Sequence, residues 1–112
     1  MRARPLLRCT ALLTAVLGAS AIAQTYPAKP VRVVVPTPAG GNPDFVARPI
    51  MQKISESLKQ PFIIENRPGA AGTIGVEYVV RAAPDGHTLL FGAIGHVTSP
   101  PALYEKLNYD AV

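Results

Sequence analysis

Three short apolar runs, each followed by a loop rich in glycine or small residues, constrain this chain more than any other feature of its sequence. The first is Val31, Arg32, Val33, Val34 and Val35, a β-branched run closed by Pro36. It predicts a buried strand, since branched side chains pack well on a pleated surface. The second, residues 62–65, follows Gln60 and Pro61, and the third covers residues 88–91. Between the first two, Asn42 is placed to cap a helix, with Pro43 at its first position and Asp44 in its first turn. That helix is expected to reach about Leu58, with Phe45, Ile50, Ile54 and Leu58 along its apolar stripe. Pro49 lies inside it, where a kink or fraying is expected. A second helix is predicted from Gly72 or Thr73 to about Ala83, stopped by Pro84, Asp85 and Gly86. A short one is predicted near residues 101–106. The order is βαβαβ, which calls for an α/β fold with a parallel sheet.

Composition gains meaning once the N-terminus is read. Arg2, Arg4 and Arg8 precede an uncharged apolar stretch at residues 10–22, and Ala21, Ile22 and Ala23 form a small-x-small cleavage site. Residues 1–23 are therefore expected to be an export signal, with Gln24 as the new N-terminus. The apolar run is short of the ~20 residues a membrane-spanning helix needs. The whole chain of 112 residues has 11 Lys and Arg against 7 acids. Loss of the signal's three arginines leaves eight cations, nearly balanced, so nucleic-acid binding is not expected. The lone cysteine, Cys9, leaves as well, and with it any disulfide or thiolate metal site. The remaining 89 residues are few for a sheet that needs helices on both faces, and an incomplete domain is the expectation.

In an open parallel sheet, ligands sit beyond the carboxyl ends of the strands, where the Gly-rich loops fall. Each of the first two loops leads into a helix N-terminus, whose free N–H groups and dipole attract anions such as carboxylate or phosphate. Gly40, Gly41, Gly69 and Gly72 equally suit tight βα turns with no ligand at all. Gly69, Gly72 and Gly75 are spaced too widely for the dinucleotide fingerprint, and neither a P-loop nor a nucleophile elbow occurs. His87 reads as a solvated edge residue, whereas His96, in the third loop, lies on the ligand side. The two histidines offer no third ligand for a metal, and no cofactor is called for. Arg48 and Arg67 could each pair with an anion, or lie solvated on their helix and loop.

Several motifs resemble one family. Tyr26, Pro27, Lys29, Pro30, Val31 and Arg32, then Val35, Pro36, Gly40, Gly41, Asp44, Ala47 and Arg48, are similar to the opening of Bug-type receptors of tripartite tricarboxylate transporters. Glu65, Asn66, Arg67, Pro68, Gly69, Ala70 and Gly72 resemble their second loop. Residues 82–90 and the Pro101, Leu103, Tyr104, Leu107, Tyr109 and Asp110 set resemble the later part. The resemblance implies a type II periplasmic binding protein fold, with residues 24–112 as an incomplete first lobe. It further implies an exported, monomeric receptor that binds a small organic carboxylate and hands it to permease subunits in the membrane, with no reaction catalysed. By position it points to Thr37, Ala39, Gly40, Gly41 and Asp44 in the first loop, and to Gly72, Thr73 and His96 beyond. The family often has Phe where this chain has Thr37, which removes an apolar wall, and a large apolar residue where it has Pro49. Residues 24–112 alone are expected to bind dicarboxylates weakly or not at all, lacking an opposing lobe. The rival expectations are a truncated product that fails to pack, or a small α/β enzyme for an anionic substrate.

Overall fold

The computed structural model describes residues 25–110. The expected signal segment falls outside them. The elements run β1 (Val31–Val35), α1 (Asn42–Leu58), β2 (Phe62–Asn66), α2 (Thr73–Val80), β3 (Thr88–Leu90), α3 (Gly95–Thr98) and α4 (Pro100–Leu103), with one 3-10 turn at Ala70–Gly72. The three strands pair in parallel in the order β2-β1-β3. Register is set with Val33 beside both Ile64 and Leu89.

The central position of β1 explains its composition. Val31, Val33, Val34 and Val35 are almost entirely buried, as a strand flanked on both edges and both faces must be. Val31 and Val33 form the core with Met51 of α1, joined by Ile54, Phe62, Ile64 and Phe91. Alternation sends Arg32 to the opposite face, where it pairs with Glu65 and donates to the hydroxyl of Tyr78 on α2. One helix thus covers each face. Coverage is incomplete, for Ile63 on β2 and Leu89 on β3 remain exposed.

Helix α1 departs from its expected stripe. Phe45, Ile50 and Leu58 are exposed, and the buried positions are Asp44, Ala47 and Met51. These follow the i, i+3, i+7 spacing of one helical face, whereas Phe45 and Ile50 flank it. Apolarity misled here because the inward position of the first turn belongs to a carboxylate. The cap is also displaced by one residue. Gly41 is the N-cap and no side chain caps the helix, so Asn42 is its first residue. Pro49 sits on the exposed side of an unbroken helix. The carbonyl it leaves without a partner can there bond water, which lowers the expected disruption.

Helix α2 ends at Val80 rather than near Ala83, and its last amides bond back through Arg81 and Ala82. The short helix expected near residues 101–106 is two single turns, at Gly95–Thr98 and Pro100–Leu103. Pro100 and Pro101 explain the break, since neither has an N–H to donate to the carbonyls of the turn before.

Candidate functional site

The three loops that follow β1, β2 and β3 gather at the carboxyl edge of the sheet, and Pro36 is their common floor. Pro36 is buried at the end of β1. A Cβ added at Gly72 would lie 3.4 Å from its Cβ, one at Gly75 only 2.9 Å, and one at Gly92 3.4 Å from its Cγ. The second and third loops therefore close directly on the residue that begins the first. His96 completes the contact. A Cβ at Gly72 would stand 2.6 Å from His96 Cδ2, so the ring lies flat against a backbone that only glycine leaves open. Gly72 also has φ of +92°, a conformation that side chains resist.

The first loop is held by Asp44. Its side chain is almost wholly buried, and its Oδ2 accepts from the Gly40 N–H at 2.8 Å and from Arg48 Nε at 2.9 Å. Its Oδ1 accepts from Arg48 Nη2 at 3.0 Å and from Asn66 Nδ2 at 3.0 Å. The same Asn66 nitrogen donates to the Thr37 carbonyl at 3.1 Å. A carboxylate so surrounded is a buried charge with its partners in place. The Gly40 amide, then Arg48 and Asn66, hold the Asp44 carboxyl down to about 2 from an ordinary 3.8.

These bonds sort the expected site residues by what each can offer. Gly40 and Gly41 provide shape, because the Gly40 N–H is taken by Asp44 and the Gly41 N–H by the Pro38 carbonyl at 3.1 Å. Ala39 is exposed at the tip of the same turn. The N–H groups of Asn42 and Asp44, in the uncapped first turn of α1, have no acceptor among the described residues. Thr37 Oγ1 is buried and has no partner among the described residues. Thr73 gives both its N–H and its hydroxyl to the Ala70 carbonyl. His96 Nδ1 accepts the Ala93 N–H at 3.0 Å, which places the ring proton on Nε2. The Asp44 carboxylate itself is fully occupied by protein donors.

Both arginines are already engaged within the protein. Arg48 is tied to Asp44. Arg67 donates to Glu65 at 2.8 Å and stacks 3.6 Å above the Tyr78 ring. The residue that sequence reading missed is Asn66. Its signal was parity: counting in twos from Phe62 and Ile64 puts Asn66 on the α1 face, beside Asp44.

Two separate aspartates, one at each end of the sheet, give the fold a pH signature. Asp44 and Asp85 are each lowered from 3.8 to about 2, Asp85 chiefly by the His87 amide and then by Lys29. A depressed folded-state value means the unfolded chain binds more protons in acid, so stability rises with pH. The urea midpoint is expected to be level above about pH 5 and to fall as pH drops from 3.8 toward 2. Asp44→Asn should flatten part of that fall, and an unchanged profile in that variant would contradict the assignment.

A parallel sheet with crossover helices on both faces and a loop cluster at its carboxyl edge defines an α/β domain. The solved structures it aligns with include the periplasmic binding protein BugD, at 38% identity and a TM-score of 0.69 over 77% of this chain and 28% of that one. The chain aligns with the protein described as MatC from Rhodopseudomonas palustris with bound malate, at 45% identity and a TM-score of 0.71, over 77% of this chain and 29% of that one. A second R. palustris protein, solved with adipate, aligns at 36% identity and a TM-score of 0.72, over 77% and 29%. Among relatives by sequence, BugT of Bordetella pertussis is 42% identical over 103 residues, which is 87% of this chain and 32% of BugT. The family model described as tripartite tricarboxylate transporter family receptor matches residues 46–112. The chain belongs to that receptor family. It spans about a third of the length of the curated relatives it matches.

Proposed function

We propose that this chain forms one wall of an exported receptor for small organic carboxylates, which passes its cargo to permease subunits of a tripartite tricarboxylate-type transporter. The observation that carries the reading is the set of donors at the carboxyl edge that have no acceptor among the described residues. They are the Asn42 and Asp44 amides of α1, the Thr37 hydroxyl and His96 Nε2. Such donors suit an anion's oxygens. The malate and adipate held by two solved relatives are small organic carboxylates. Residues 1–23 would direct export to the periplasm, and the receptor would act as a monomer without a cofactor.

A single wall leaves one side of the ligand in water, so affinity near 1 mM, about −4 kcal/mol, is the expected scale. The test is a titration of malate, and separately adipate, into the isotopically labelled protein, followed by amide and imidazole NMR shifts. Saturable shifts at Thr37, Asn42, Asp44 and His96 are expected. A spectrum that stays unchanged at these residues, or that moves only at the opposite end of the strands near Lys29 and His87, would overturn the proposal.

A further inference from the structure

We propose that Asn66 is the positioning residue of the first loop, a strut from the end of edge strand β2 that holds both ends of the Thr37–Gly40 segment in their binding geometry. The inference rests on the receptor reading for its functional meaning, but its geometry stands apart from any ligand. Asn66 Nδ2 carries two hydrogens. One points to the Thr37 carbonyl at 3.1 Å, and the other to Asp44 Oδ1 at 3.0 Å. Asp44 in turn fixes the Gly40 N–H through Oδ2. The loop's entry is thus held directly and its exit through one carboxylate. Within the loop, the Gly41 N–H to Pro38 carbonyl bond is the sole local backbone restraint among the described residues, and a single such turn is a weak hold.

Chemistry at this position is narrowly specified. The residue must be short and supply two donors toward a carbonyl and a carboxylate. Asp would bring neither donor and would set a second carboxylate 3.0 Å from Asp44 Oδ1. Leu would match the size and leave both acceptors bare. The neighbouring backbone strengthens the tie, since the Arg67 N–H bonds the Val35 carbonyl at 2.9 Å. Strand β2 therefore grips the exit of β1 by main chain and side chain together. A loop ordered before the ligand arrives loses less freedom on binding.

Amide hydrogen exchange on the whole chain tests the proposal, using Asn66→Asp and Asn66→Ala. Gly40 exchange should quicken about tenfold or more in both variants, the factor expected for losing support to one charge-assisted bond. Phe91, whose N–H bonds the Val34 carbonyl, serves as the reference and should change less than about twofold. Malate affinity in the same variants should fall by roughly tenfold. Quickened Gly40 exchange supports the strut even where malate binds neither variant nor parent, in which case the receptor reading is what fails. Unchanged Gly40 exchange in Asn66→Asp, or an equal rise at Phe91, overturns the strut whatever malate does. Should both variants fail to fold, the unmodified protein decides it. Its Asn66 side-chain amide protons should exchange at least about tenfold more slowly than those of exposed Gln52, and equal rates would sink the idea.

Discussion

Gly75→Ala should destabilise the protein by about 1–2 kcal/mol, although alanine is the better helix former. Gly75 is the third residue of α2, and replacing a helical glycine with alanine ordinarily gains up to ~1 kcal/mol. Against that stands the approach of α2 to the end of β1. The new Cβ would lie 2.9 Å from Pro36 Cβ, 3.0 Å from the Arg67 carbonyl oxygen and 3.1 Å from Pro36 Cα. Two of these are backbone atoms and the third belongs to a rigid ring, so no flexible side chain can swing aside. Overpacking of this sort costs roughly 1–3 kcal/mol, and it outweighs the propensity gain. The helix must move outward, taking Gly72 away from the His96 ring. Urea denaturation measures the outcome as a lower midpoint with an unchanged slope. A raised midpoint would mean that α2 has room to spare, and that Pro36 is not the floor of the loop cluster.

Asp44→Ala should loosen the first loop more than any other single change in α1. It removes the acceptor of Gly40, Asn66 and two nitrogens of Arg48 at once. Gly40 exchange is expected to rise about 10- to 100-fold, the range for one hydrogen bond to a charged acceptor. Arg48→Ala offers the comparison. The Arg48 side chain is more than half exposed, whereas that of Asp44 is 2% exposed. Loss of Arg48 leaves Asp44 its two remaining donors, so both the urea midpoint and Gly40 exchange should change less. Equal effects from the two substitutions would show that the ion pair, rather than the carboxylate's hold on the loop, is what matters.

The strand order along the chain was legible because β1, β2 and β3 are continuous apolar runs bounded by proline and glycine, and few other structures suit such runs. The loops were legible for the same reason, since a parallel sheet sends every βα loop to one edge. Helix faces were harder. Phe45 and Ile50 are apolar yet exposed, and Asp44 is charged yet buried, so hydropathy pointed about a quarter turn away from the true face. Nothing local announces that a first-turn aspartate will be met by an asparagine 22 positions further on. Among the residues that the resemblance points to, the Gly40 and Gly41 amides are internal bonds of the loop. That distinction depends on where Asp44 and Pro38 point, which spacing alone does not encode.

The placement of Asn66 also ties the shape of the first loop to the correctness of folding. Because side chains alternate along a strand, a slip of β2 by one residue would turn Asn66 to the α2 side and bring Arg67 or Glu65 toward Asp44 instead. Glu65 would confront the carboxylate with like charge, and the Thr37 carbonyl would lose its donor. A misregistered sheet could still bury much of its valine core, yet it could not shape the first loop. The loop thus acts as a proofreader of strand pairing, so that a chain paired wrongly is also one without a shaped carboxyl edge.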